Sequence, residues 1–291
     1  MKETNLERLT IGMDLGDKTI HVCVLNTCGE IAQERTIQTT SKSLQSFLGK
    51  YSKSLVVLEV GTHSPWISRL VECLGHEVIV ANPRAVRSIY QNPKKSDRLD
   101  AEMLARLGRV DPTLLKPVSH RDENAQHTLS MLQARDHSVG IRTSLINHIR
   151  GSVKAVGERL PSCTTGAFHK ASMMEALPDG LAPALKPMFE MIEALTKQIR
   201  GYEKSIEAIA LQQYPETELL RQVRGVGPIT ALTYVLVIQD VKRFSKSRKV
   251  GAYLGLVPRL DQSGDRNRQL WITKAGDSML RNREGPWHRF A

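Results

Sequence analysis

The sequence predicts a mixed α/β domain at the N-terminus, a long helical middle and a mainly helical C-terminal region. Three observations predict it. Runs of alternating apolar residues occupy the first forty positions and then give way to short apolar runs separated by helical segments. A proline-free stretch over 122–158 carries apolar residues at helical spacing. After Leu219 a Gly-x-Gly turn leads into an apolar helix.

Ile11, Met13 and Leu15 alternate with smaller or polar residues, and Ile20, Val22 and Val24 do so again after the turn Gly16-Asp17-Lys18. A second turn at Cys28-Gly29-Glu30 precedes a third strand, Ile31 to Ile37, completing an antiparallel meander over 8–36. Residues 41–50 are predicted helical with Ser41 as the N-cap. Leu55 to Val60 is a short apolar run containing one carboxylate and followed by glycine, the pattern of a buried parallel strand. Pro65 to Leu74 fits a helix closed by Gly75, and Glu77 to Ala81 is a further strand. Ser96 can cap a helix reaching Leu107, with Leu99, Met103, Leu104 and Leu107 as its apolar positions.

The stretch 159–184 is rich in Pro, Ser and Gly and is predicted as a loop or hairpin tip. Residues 185–212 resume a helix through Leu185, Met188, Ile192, Leu195, Ile199, Ile206 and Ile209. With 122–158 it is expected to form an antiparallel helical pair, a coiled coil. Three domains follow: 1–118, a helical linker over 119–215, and 216–291. In the last, Leu219 to Pro228 and the helix Ile229–Ile238 have the shape of a helix-hairpin-helix element, or of a plain helical hairpin. Arg224, Gly225 and Gly227 stand at its turn, where glycines let backbone N–H groups approach a phosphate.

The chain holds 291 residues, 41% of them apolar, enough for cores in more than one domain. No run approaches the length of a membrane span, and Met1 to Asn5 lacks the apolar core of a secretory signal, so no membrane association and a cytoplasmic location are expected. Cys23, Cys28, Cys73 and Cys163 form no C-x-x-C pair, and Cys23 and Cys73 lie in apolar stretches as expected of buried thiols. A net charge of +11 suggests a polyanionic partner or, more plainly, a solvated basic face. Residues 219–291 carry fourteen Lys and Arg against five Asp and Glu, a net of +9.

Four carboxylates are placed where chemistry needs them. Asp14 lies on the first strand and Glu59 ends the later buried one. Asp97 and Asp100 are three apart at the start of a helix and share one of its faces, which Leu104 and Leu107 continue. Carboxylates on adjoining buried strands repel one another and lose hydration unless a cation joins them. Oxygen ligands suit Mg²⁺, and two such ions stabilise both oxygens of a phosphodiester displacement. Each acid also has a structural reading: Asp14 in a turn, Glu59 paired with an Arg, Asp97 on the helix dipole, and Asp100 paired with Arg98 or Arg106.

The chain resembles the DEDD-type insertion-sequence transposases guided by a bridge RNA. The segments that carry the likeness are Ile11–Gly16, Leu58-Glu59-Val60-Gly61-Thr62, Ala81-Asn82-Pro83 and Lys95-Ser96-Asp97-Arg98-Leu99-Asp100-Ala101. In the last third they are Arg224 to Ala231, Gly251 to Arg259, Ser263-Gly264 and Thr273-Lys274-Ala275-Gly276-Asp277. The resemblance implies an RNase H-like (RuvC-like) N-terminal domain with the acidic tetrad Asp14, Glu59, Asp97 and Asp100 binding Mg²⁺. It also implies a C-terminal transposase domain with a nucleophilic serine at Ser263, and a homo-oligomer that acts on nucleoid DNA under a guide RNA. Arg259, Arg266 and Arg268 flank Ser263 and can hold a phosphate, as can Lys274, while Gly264 lets a backbone come close.

Asp14-Leu15-Gly16-Asp17-Lys18-Thr19 is also similar to the first phosphate loop of actin-like ATPases, but the sequence offers no second Asp-Gly loop or adenosine site. The tail from Asn282 to Ala291 is polar where family members continue with apolar helices, so a truncated end is expected. The alternatives are a non-catalytic nucleic-acid-binding relative and a RuvC-like junction nuclease.

A basic phosphate-tracking surface has a measurable consequence. With about six phosphates engaged, affinity for duplex DNA should fall roughly 10³-fold between 50 and 200 mM salt in a filter-binding titration, and a flat response would contradict such a surface.

Overall fold

The computed structural model describes residues 8–89, 96–263, 266–274 and 276–283, which divide into two compact units, 1–120 and 121–291. No helix among the described residues is long and apolar enough to cross a membrane.

The first unit is built on five strands: β1 (Thr10–Leu15), β2 (Thr19–Leu25), β3 (Ile31–Gln38), β4 (Leu55–Glu59) and β5 (Glu77–Ala81). Their order in the sheet is β3-β2-β1-β4-β5. β2 runs antiparallel to β1 and β3, while β4 is parallel to β1 and β5 is parallel to β4. A meander followed by parallel strands on the far side of β1 is the arrangement expected of an RNase H-like sheet. β1 and β4 are central and read as apolar runs, as strands covered on both faces must.

The two faces of the sheet are covered differently. Ile11, Met13, Ile20, Val22, Val24, Val56, Leu58 and Val80 pack with α1 (Ser41–Leu48) and α2 (Ser64–Cys73). The N-cap of α1 is Thr40, not the expected Ser41: Thr40 is extended, and its hydroxyl accepts from the Ser43 N–H at 3.3 Å. Either hydroxyl could serve, and the residue with non-helical backbone takes the role. A short α3 (Pro83–Ile89) follows β5.

The opposite face is covered by α4 (Asp97–Val110), which runs three residues past the expected end at Leu107. Ser96 stands at its N-cap in extended conformation but makes no side-chain cap bond. Cys23 and Leu25 pack with Ala101 and Ala105, while Leu55, Val57, Ile79 and Ala81 pack with Leu104 and Leu115. The helix comes very close. A Cβ on Gly12 would stand 2.0 Å from the Ala101 carbonyl oxygen, and one on Gly108 would stand 2.4 Å from a Val57 methyl.

In the second unit, α5 (Glu123–Ala155) and α7 (Ala182–Gln213) lie antiparallel. Leu129 and Leu132 meet Ile206 and Ala210 at one end, and Ile149 and Val153 meet Leu185 and Phe189 at the other. Burial follows steps of three and four along Ala125, Thr128, Leu132, Arg135, Val139, Arg142, Ile146, Ile149 and Val153, all buried or half-buried. The same steps recur along Leu185, Phe189, Ile192, Thr196, Ile199, Glu203, Ile206 and Ala210. That is the spacing of a heptad seam. The predicted loop over 159–184 is largely packed. It contains α6 (Ala171–Glu175), and Leu160, Phe168, Met173 and Leu177 close the end of the helical pair. Those apolar residues have no long period, so the sequence did not reveal them as a cap.

Beyond the pair come α8 (Thr217–Arg221), α9 (Pro228–Ile238), α10 (Arg248–Tyr253), an antiparallel hairpin of β6 (Pro258–Ser263) and β7 (Arg266–Ile272), and α11 (Ser278–Arg283). The hairpin departs from the mainly helical expectation. Of the predicted tail over 282–291, Asn282 and Arg283 still belong to α11, and 284–291 lie outside the described residues.

Two substitutions separate close packing from open space. Gly12→Ala should lower stability by about 1–3 kcal/mol, because the new methyl drives α4 off β1. Gly140→Ala, in the exposed interior of α5 with nothing within 4 Å, should raise it by about 0.8–1 kcal/mol. Denaturant unfolding of the two variants checks both signs.

Candidate active site

Side chains alternate across a strand, so the register of the sheet fixes which residues share a face. Gly12 faces α4, and therefore so does Asp14. Val57 faces α4, and therefore so does Glu59. Met13 lies opposite Leu58 in the parallel pair, which puts Asp14 and Glu59 at the next, adjoining positions. Both are half-buried and stand at the C-terminal ends of the two central strands. In open parallel sheets that end is where ligands bind.

The helix α4 brings the other two acids to the same region. Asp97 is its first residue, and Asp100 lies in the same first turn on the side that Ala101, Leu104 and Ala105 continue toward the sheet. The Oδ2 of Asp97 is 3.7 Å from Nε2 of His21, and His21 is the cross-strand partner of Asp14. Directly opposite residues carry Cβ atoms about 4.5–5.5 Å apart, so His21 links the Asp14 position to the start of α4. The other ring nitrogen, Nδ1, is 3.2 Å from the Thr36 hydroxyl, which orients the ring. Sequence reasoning missed His21. Its signal was available: it alternates with Ile20 and Val22 on a strand paired with Asp14.

Other contacts hold α4 in register. Arg98 donates from one terminal nitrogen to both oxygens of Glu34, at 3.0 and 2.8 Å. Arg106 donates to Glu102 at 2.8 Å and to the Gly29 carbonyl at 3.3 Å, and Arg109 donates to the Thr27 carbonyl. Arg98 and Arg106 are thus spoken for by other acids, and neither is the partner of Asp100 that the structural reading required. At the rim, the β1–β2 turn and the β4–α2 loop approach each other, with Nε2 of His63 3.4 Å from Oδ1 of Asp17. Trp66 donates to Nδ1 of His63 at 3.1 Å.

The donor set is all carboxylate with one imidazole beside it, which fits a hard divalent cation such as Mg²⁺. Among the described residues no group of three or more His, Cys, Asp or Glu side chains is closed into a ligand set. The acids share one end and one face of the sheet without converging on a single point. Cys23, on the same face, is buried against Ala101 and Ala105, and burial pushes its thiol up to about 11.

The C-terminal expectations are placed as follows. Gly225 has φ +90°, a left-handed position that suits glycine, and Gly227 is the N-cap residue of α9. Arg224, Gly225 and Gly227 are exposed on this turn. The preceding helix, α8, has five residues, and α9 is buried through Ala231, Leu232, Leu236, Val237 and Ile238. Ser263 ends β6 opposite Arg266 on β7. The backbone of these two is described, their side chains are not, and Gly264 lies outside the described residues. Arg259, Arg268 and Lys274 are exposed. The hairpin was legible in Gly264-Asp265, two turn-forming residues between extended runs.

Strand order and the placement of acids define a mixed α/β domain that presents carboxylates at the ends of its central strands. The family models and the curated relatives give a narrower assignment. A DEDD transposase model of the IS110 type matches residues 11–157, and a model described as the transposase IS116/IS110/IS902 family matches residues 217–283. The transposase for insertion sequence element IS1111A of Coxiella burnetii is 27% identical over 279 residues, covering 93% of this chain and 74% of its own. The transposase for insertion sequence element IS1328 of Yersinia enterocolitica is 26% identical over 273 residues, covering 93% and 80%. A solved structure of Thermus thermophilus RuvC aligns with 35% of this chain and 96% of its own, at 14% identity and a TM-score of 0.28. With its first half and its last quarter both matched, the chain belongs to the IS110 family of DEDD transposases.

The burial of Cys23 predicts selective labelling. Iodoacetamide at pH 8 should modify the exposed Cys28 and Cys73 while leaving Cys23 unmodified in the folded protein, as read by peptide mass spectrometry.

Proposed function

We propose that the protein is a Mg²⁺-dependent DNA recombinase that cuts and rejoins phosphodiester bonds. The observation that carries this reading is the adjoining placement of Asp14 and Glu59 at the ends of the central strands, under the helix that starts with Asp97 and Asp100. Asp14, Glu59, Asp97 and Asp100 would hold the metal. When bound, divalent ions stabilise the charge on the attacking and leaving oxygens of an in-line displacement. His21 positions Asp97. Family membership supports DNA as the substrate.

Ser263 is the proposed nucleophile. Its hydroxyl oxygen attacks the phosphorus, the strand oxygen leaves and takes up a proton, and a phosphoserine ester holds the cut end. The hydroxyl of a second strand then attacks that ester, restores the DNA bond and frees the serine. Arg259, Arg266 and Arg268 neutralise the phosphate, and Arg224, Gly225, Gly227 and Lys274 contact the backbone nearby. The exposed turn at Arg224–Gly227 supports a helix-hairpin-helix role for the transposase domain over 216–291, which packs on the helical pair within one compact unit. The heptad-spaced burial of α5 and α7 supports a coiled-coil linker over 119–215 and assembly of the chain as a homo-oligomer. Selection of donor and target DNA by a structured RNA completes the reading.

Two variants test it. Asp14→Asn should reduce cleavage and strand exchange by about 10³-fold, the rate equivalent of several kcal/mol of charge stabilisation. Cleavage at wild-type rate would rule out the carboxylate assignment. Ser263→Ala should abolish covalent protein–DNA adducts on denaturing gels. If it still cuts with Mg²⁺, the protein is a junction nuclease that uses water.

A further inference from the structure

A groove of about 520 Å³ lies where the edge strand β3 meets α1. Arg35, Lys42 and Lys50 line it together with Thr36, Ser43 and Ser46. All three cations are exposed, and none of them enters an ion pair among those of the described residues. The sequence around the groove is unusual for this half of the chain. From Arg35 to Leu58 there are four Lys and Arg and no Asp or Glu. The strong excess of charge after Leu219 hides this block when the chain is read as a whole.

The groove is also close to the acids. Asp14 pairs with His21, and His21 pairs with Thr36. Adjacent strands are about 4.8 Å apart, so Thr36 stands roughly 10 Å from the Asp14 backbone. Thr36 shares the face of Asp14, while Arg35, opposite Val22, points to the face that α1 covers. The groove therefore lies at the edge strand on the α1 side, one strand away from the strand that carries His21.

We propose that this β3–α1 groove binds the phosphodiester backbone of a nucleic-acid strand, with Arg35, Lys42 and Lys50 as its phosphate contacts. An acid-free cluster of cations beside hydroxyls suits phosphate oxygens. A protein strand adding to the edge would gain nothing from three unpaired cations. The proposal rests on the protein's being one that handles nucleic acid and assigns a second, non-catalytic contact to it.

The test uses the full chain in EDTA, so that binding is read without cleavage. Affinities for a 30-nucleotide DNA strand, the corresponding duplex and an RNA of equal length are measured between 50 and 300 mM salt. Lys42→Gln with Lys50→Gln should make the slope of log K against log salt shallower by about 1.4 for single strands and about 1.8 for duplex. Lys42→Arg with Lys50→Arg should keep the wild-type slope, and Lys186→Gln with Lys204→Gln, an equal loss of charge on α7, should leave it unchanged. A change with DNA alone places the substrate strand in the groove, and a change with RNA alone places a guide there. An unaltered slope with every probe, or an equal fall in the α7 control, overturns the proposal. Absence of binding by the wild-type chain would instead overturn the nucleic-acid reading beneath it.

Discussion

The close approach of α4 to β1 governs the first unit. Gly12 has no Cβ, and the space that one would occupy is taken by the backbone of Ala101 and Ala105. Gly108 does the same against Val57, one strand over. Two glycines, one on the sheet and one on the helix, let the axis of α4 settle low on the sheet. The first turn of the helix then reaches the level of Asp14 and Glu59. A bulkier residue at either glycine would lift the helix, and Asp97 would leave the neighbourhood of His21.

Electrostatics work with that packing. Four acids at one end of a sheet repel, and something must hold the helix down while they do so. Arg98 ties the first turn to Glu34 on β3, while Arg106 and Arg109 tie the later turns to the β2–β3 connection. None of these ties uses a member of the tetrad. These ties run to Glu34 and to backbone carbonyls, while His21 approaches Asp97 from the side.

The helical pair follows a different rule. Its seam is apolar at both ends and polar in the middle, where Arg135 bonds to Glu203 and the buried Arg142 reaches Thr196 at 3.4 Å. Burial, with Arg135 and Arg200 nearby, holds the Arg142 guanidinium below its ordinary pKa. A buried charge of this kind costs stability and restricts the registers in which the helices can pair. Sliding α7 by one turn would separate Arg135 from Glu203 and set Arg142 against Ile192 or Ile199.

The sequence by itself determined the strands of the first unit and the two long helices, and it marked four acids as candidates for the site. Those features rest on local periodicity and on residue chemistry, both of which are written along the chain. Glu77–Ala81 is found where the alternation placed it, and Asp97 and Asp100 share a helix turn as their spacing required. Thr40 took the cap that Ser41 could equally have filled, because only the backbone conformation distinguishes them. The packed tip around Phe168 was obscured for a related reason: short segments carry too few residues to display a period. Only the tertiary structure decided that Asp14 and Glu59 stand side by side, that His21 lies between Asp14 and α4, and that Arg35, Lys42 and Lys50 share a groove. Such neighbours are brought together by strand order and register, and those are set by the packing of both sheet faces at once, not by any single stretch of sequence.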